Sequence, residues 1–230
     1  MNEFASSSVF FGVFVTLASY FIGLRVKAKT GLAIMNPLLI AIVLVMLLLR
    51  GLDIDYAAYN QSARLVSSLL TPATVCLAVP LYEQLQLLRR HKAAIFTGVL
   101  SGVLTSLICV LVLAALFHLD HAAYVTLLPK SITTAIGMGV SEQLGGHVSI
   151  TVAIIIITGV IGNMIAESVC RVFRIKEPIA RGIAIGTASH AIGTTKAMEL
   201  GEVEGAMSSL SIVVAGVLTV AGASVFSLLL

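Results

Sequence analysis

The stretch AAIFTGVLSGVLTSLICVLVLAALF, Ala93 to Phe117, carries no charged residue. As an α-helix it would be about 37 Å long, more than the roughly 30 Å of a bilayer's hydrocarbon core. Directly after it comes AAYVTLLPKSITTAIGMGVSEQLGG, residues 122–146, also largely apolar but with Pro129, Lys130 and several hydroxyls in its middle. The first stretch reads as a helix that crosses a membrane. The second reads as one that enters the membrane and is broken inside it.

Working outward, further charge-free windows run from Phe4 to Leu24, Thr30 to Leu49, Leu65 to Tyr82, Val148 to Ala166 and Gly205 to Leu230. These place spans at 7–25, 32–50, 63–84, 93–117, 148–171 and 205–229, with interrupted segments at 122–146 and 182–201. The expected fold class is all-α: a polytopic α-helical membrane protein of about seven to eight membrane segments with broken or re-entrant helices. The linkers are short, so residues 1–230 read as one transmembrane domain. The first window follows Asn2-Glu3 and ends in Arg25, Lys27 and Lys29, which reads as a retained span and not as a cleaved signal.

Composition agrees. Hydrophobic residues make up 58% of the chain and charged residues 11%, against about 45–50% and about 25% in soluble domains. Mean hydropathy is +1.06. Apolar surface in this excess faces the lipid bilayer. The net charge of +3 is held in short juxtamembrane clusters, with no basic stripe for nucleic acid. Cys76, Cys109 and Cys170 are scattered and read as packing residues. The sequence has no H-E-x-x-H, G-x-S-x-G or Walker A motif and no metal-spaced Cys/His set, so neither an enzyme nor a cofactor is expected.

The charges also bear on topology. Basic clusters follow the first span (Arg25, Lys27, Lys29), the third (Arg89, Arg90, Lys92) and the fifth (Arg171, Arg174, Lys176, Arg181). The positive-inside rule puts all three on the cytoplasmic face only if 122–146 dips in and returns. A second pattern joins the two interrupted segments. Ala135-Ile136-Gly137 and Ala191-Ile192-Gly193 match at an offset of 56 residues, as do Leu144-Gly145 and Leu200-Gly201. Leu81-Tyr82-Glu83-Gln84-Leu85 echoes Val140-Ser141-Glu142-Gln143-Leu144. The unit is a polar, helix-breaking segment followed by a full span, the mark of an internal (inverted) repeat around a transporter's binding site.

The breaks supply the candidate binding residues. Freed N–H groups at a half-helix N-terminus suit an anion. Thr71, Thr74, Ser131, Thr133, Thr134, Ser189, Thr194 and Thr195 offer hydroxyls that could bond a carboxylate or, more plainly, their own helix turn. Lys130 lies about 14 Å from the interface marked by Asp120-His121. Two roles fit it, a substrate-facing cation or a structural ion pair. His190 reads equally as a proton carrier or a packing residue. Lys196 falls near Glu199 and Glu202, and Glu167 near Arg171 at i,i+4, both suggesting ion pairs.

The same residues carry a family likeness. Asn36-Pro37-Leu38-Leu39, the run from Leu70 to Gln84 ending in P-L-Y-E-Q, Leu128-Pro129-Lys130-Ser131-Ile132-Thr133-Thr134, Gly186-Thr187-Ala188-Ser189-His190-Ala191-Ile192-Gly193-Thr194 and Glu204 to Leu210 together resemble the LrgB/CidB (YohK-like) membrane family over nearly the whole chain. The resemblance implies a multi-pass protein of the bacterial inner (cytoplasmic) membrane, usually encoded beside a small LrgA/CidA-type membrane partner. It implies one of two roles: an antiholin- or holin-like modulator of murein hydrolase export and autolysis, or a translocator of small carboxylates such as glycolate, glycerate or pyruvate. Lys196 stands where relatives often have Arg, which keeps the charge and loses the planar fork. The interrupted helices favour the carrier, and a homo-oligomer, dimeric by preference, is expected. A bare scaffold for the small partner is the third reading.

Overall fold

The computed structural model describes residues 8–31, 35–69, 72, 75–76, 82 and 85–230, all of them in helices or the turns between helices. Thr71, Thr74 and half of the span read at 63–84 lie outside the described residues. The chain divides into two compact units, Met1–Cys76 and Leu77–Leu230.

In the first unit, α1 (Val9–Thr30) and α2 (Pro37–Gly51) are followed by two short helices, α3 (Tyr56–Ser62) and α4 (Arg64–Ser68). Gly31 ends α1 in the left-handed conformation, its N–H donating to Lys27 O. Asn36 Oδ1 caps α2 by accepting from the N–H of Leu38 at 2.9 Å and of Leu39 at 3.3 Å, and Pro37 occupies the first turn. The Asn-Pro of the sequence motif is thus a helix start. At 15 residues α2 falls short of the roughly 20 that a span needs.

The second unit holds α5 (Leu85–Leu116), α6 (His121–Leu127), α7 (Thr134–Gln143), α8 (Val148–Val172), α9 (Pro178–Leu200), α10 (Glu202–Phe226) and a closing 3₁₀ turn, Ser227–Leu229. Among the described residues four helices are long and apolar enough to cross a membrane: Phe10–Thr30, Arg89–Leu116, Val148–Val172 and Glu202–Leu229. Their outward faces carry large apolar side chains such as Phe14, Val112, Ile157 and Val217, as a lipid environment requires.

The segment 122–146 is broken where Pro129 stands. Neither α6 nor α7 reaches the length of a span. Contacts give their directions. Ser141 and Thr151 hydroxyls lie 2.7 Å apart, and Gly137 faces the Ile155 side chain, so α7 runs against α8. Thr126, near the end of α6, lies beside the start of α8, its Oγ1 accepting from His147 N–H at 2.8 Å and its carbonyl 3.0 Å from Thr151 Oγ1. The Pro129 carbonyl faces Gly137. Helices α6 and α7 are therefore two arms of a hairpin whose bend is 128–133.

Helix α9 is bent in the same manner. His190, at φ 41° and ψ −141°, interrupts it. Before this bend, Gly182 packs on Glu204 and Met207, and Gly186 on the Ser208 backbone. After it, Thr194 bonds Ser208 at 2.7 Å and Met198 packs on Gly205. The chain first runs along α10 and then back towards its start. The residues are small where the two helices touch because a side chain would strike the main chain opposite. A Cβ at Gly186 would come 2.8 Å from Ser208 Cα.

Gly186→Val should therefore cost at least the ~1–3 kcal/mol typical of overpacking, while Gly139→Val, with open space at its Cβ, should be close to neutral. Thermal unfolding midpoints of the two purified variants in one detergent check this. Equal midpoints would contradict the packing described.

Candidate functional site

The two bends meet. Lys130 and Ser131 of the first and Thr187 and Ser189 of the second line one cavity of about 980 Å³, whose walls also include residues of α5 and α8. Pro129 has no N–H to give and its ring blocks the preceding turn, so α6 stops. The bend is held by Lys130 N–H to Leu127 O at 3.2 Å and Ile132 N–H to Pro129 O at 3.3 Å. Lys130 Nζ donates to Ser131 Oγ at 3.0 Å, and that oxygen lies 3.3 Å from Ser106 Oγ on α5. Among the described residues no carboxylate pairs with Lys130. Its ammonium group, three donors with one protein acceptor, is what the cavity offers to an anion.

The second bend is fastened from α8. His190 is buried, and its Nε2 lies 3.0 Å from Ile155 O. A carbonyl only accepts, so Nε2 carries the proton. The ring sits over Gly159, and Ser189 fills the notch left at Gly162. Asn163 donates to Ile192 O at 2.8 Å and to Thr195 Oγ1 at 2.9 Å, and Thr195 donates to the same carbonyl at 2.8 Å. Thr194 donates to His190 O at 3.0 Å. The polar groups released by the break find partners within the protein, as hydrocarbon surroundings demand.

Of the residues singled out from sequence, the structure brings Lys130, Ser131 and Ser189 to the cavity. His190, Thr194 and Thr195 instead hold the second bend together. Thr133 is the N-cap of α7 and Thr134 its first residue, and neither lines the cavity. Lys196 pairs with Glu199 at 3.2 Å and Glu167 at 3.4 Å, and Arg171 with Glu167 at 3.1 Å. Sequence reasoning missed the α5 wall: Ser101, Gly102, Thr105, Ser106 and Cys109 face the cavity. Their signal was present as small and polar residues recurring every three or four positions within an uncharged helix. Thr187 was also missed. It is buried, its methyl packs against Gly102, and its Oγ1 has no hydrogen-bond partner among the described residues.

Broken helices around a cavity, together with long apolar helices, define a helical membrane protein. The chain belongs to the LrgB-like family, whose model matches residues 16–229. It is 38% identical over 212 residues, 92% of either chain, to the antiholin-like protein LrgB of Bacillus cereus (strain B4264), and equally to that of Bacillus anthracis (strain CDC 684 / NRRL 3495). No solved structure matches it.

A left-handed backbone at a residue with a Cβ costs about 1–2 kcal/mol, and His190 offsets this through its bond to Ile155 O. His190→Ala should lose the bond and keep the strain, whereas His190→Gly loses the bond and relieves the strain. The glycine variant should then be the more stable of the two by about 1 kcal/mol, read as midpoints in a thermal unfolding series. The reverse order would contradict the strained bend.

Proposed function

We propose that this protein carries small monocarboxylates of the glycolate, glycerate and pyruvate class across the bacterial inner membrane by alternating access, working with a small LrgA/CidA-type membrane partner. The observation that supports the reading most is Lys130 Nζ, without a carboxylate partner among the described residues, at the meeting point of two bent helices. Burying an ammonium at that depth costs about 2.5–3.5 kcal/mol on insertion scales, which an arriving carboxylate offsets. Ser131 and Ser106 add hydroxyls beside it.

The two hairpins support the inverted-repeat form of this reading. In the first, α6 and α7 enter and return, and α8 then crosses. In the second, the two arms of α9 enter from the end where α8 leaves and return to it, and α10 then crosses in the opposite sense. Matching elements of opposite direction around a central site are the architecture of many secondary carriers. The offset of 56 residues sets Ala135-Ile136-Gly137 against Ala191-Ile192-Gly193, in each case the start of the returning arm. Both hairpins read as re-entrant segments within one transmembrane domain.

A second reading has its own support. The relatives are named antiholin-like proteins, which speaks more directly for a modulator of murein hydrolase export and autolysis than for a carrier. Carriage would be the molecular activity behind such an effect if flux is saturable and selective. A pore or its regulator would give flux with neither property.

Uptake of labelled pyruvate and glycolate into proteoliposomes, with and without the small partner, separates the two. Saturable uptake should fall about ten- to hundredfold in Lys130→Ala, the loss of a hydrogen bond to a charged group. Lys196→Ala, which removes only partly exposed ion pairs, should lose little. Leakage without substrate preference, or uptake unchanged in Lys130→Ala, would sink the carrier reading.

A further inference from the structure

We infer that the cavity is a one-sided access path, open at the basic end of the protein and sealed at the other, with the ligand held only at its inner floor. This rests on the carrier reading and adds to it the direction of access and the identity of the closed gate.

A volume of about 980 Å³ lies at the upper end of pockets that enclose drug-sized molecules, about 300–1,000 Å³. At roughly 30 Å³ per water it has room for on the order of thirty waters. A three-carbon carboxylate replaces only a few of them. A site fitted to such a ligand would be far smaller, so most of the space is approach and not binding surface.

Along α5 the lining runs from His91 through Ser101 to Cys109, about 27 Å at 1.5 Å per residue. Glu177 and Ile179, at the start of α9, belong to the His91 end. This follows from the parallel packing of the two helices, with Gly98 against Ile183 and Gly102 against Thr187. Ser131 belongs to the inner end through its contact with Ser106. The path therefore starts beside His91 and ends at Lys130.

Beyond Lys130 the path is stopped by buried side chains. Leu107, Tyr124, Leu128 and Ala223 join one buried cluster. The Tyr124 hydroxyl, fully buried, donates to Phe226 O at 2.9 Å, tying α6 to the end of α10. Opening on this side would require α6 to part from that turn.

The open end carries Arg89, Arg90 and Lys92 on α5, Arg171 in the last turn of α8, and Arg174 and Lys176 between α8 and α9, while the sealed end carries Asp120 and Glu142. The positive-inside rule makes the open end cytoplasmic. The resting protein is inward-open, with Tyr124 and its neighbours as the closed outer gate.

Cys109 is a native probe of this path, exposed and near its floor. The full chain carrying Cys76→Ser and Cys170→Ser is treated with a membrane-impermeant anionic methanethiosulfonate in inside-out and in right-side-out membrane vesicles. Labelling should be at least tenfold faster in the inside-out vesicles, and pyruvate or glycolate should slow it. Ser101→Cys in a background also lacking Cys109 is the second reporter, nearer the mouth, and should label on the same side and faster. Equal rates from both faces, faster labelling from outside, or no labelling at either position would overturn the inference. One-sided labelling that neither carboxylate slows would uphold the access path and count against the carrier reading alone.

Discussion

Everything in the second unit depends on one constraint: a peptide group released from a helix inside hydrocarbon must find a partner in the protein. A broken helix is therefore tolerable only where other elements bring polar groups to the break. Here α8 does this for the bend at His190. Asn163 reaches the Ile192 carbonyl, and the Ile155 carbonyl accepts from the histidine ring. The hydroxyls of Thr126, Ser141 and Thr151 do it for the first hairpin, where they join both arms to the start of α8. Once both bends are anchored to the same helix, their tips converge. The cavity with Lys130 follows from that convergence.

The same constraint explains the distribution of small residues. Gly159 and Gly162 admit His190 and Ser189 to the surface of α8. Gly182 and Gly186 let α9 lie against the α10 main chain, and Gly102 admits Thr187 to α5. In water, apolar residues would drive such packing. Between helices in lipid, close backbone approach and interhelical hydrogen bonds take over that role.

How much of this was legible in the sequence varied with how local its cause is. Pro129 breaks a helix wherever it stands, so the first bend and the depth of Lys130 could be read directly. The uncharged windows around α5, α8 and α10 gave those helices to within a few residues, apart from the earlier start of α5. The expected span at 32–50 is a shorter helix, because Asn36 and Pro37 fix its start late. The bend at His190 has no local cause. Neither Pro nor Gly stands there, and contacts with residues far away in sequence hold its backbone. That is why the stretch 182–201 could be called interrupted without a point of interruption. Thr194, Thr195 and His190, candidate ligands by sequence, make hydrogen bonds within that bend. The α5 wall was hidden for another reason. Ser and Thr are tolerated in membrane helices, so an uncharged window shows where a span lies and not which of its faces is wet. The name antiholin-like describes relatives at the level of the cell, and a cavity whose Lys130 has no carboxylate partner among the described residues describes molecular chemistry. The two are compatible where carboxylate movement is what the cell senses.

The central claim is that two hairpins enter from opposite faces and meet, and cysteine accessibility tests it most directly. Single cysteines at His118 and His147 flank the first hairpin, and single cysteines at Lys176 and Glu202 flank the second. In a chain otherwise free of cysteine, the account predicts that an impermeant reagent labels the first pair from outside only and the second pair from the cytoplasm only. Labelling of 118 and 147 from opposite faces, or of 176 and 202 from opposite faces, would mean that the segment between them crosses, and would contradict it.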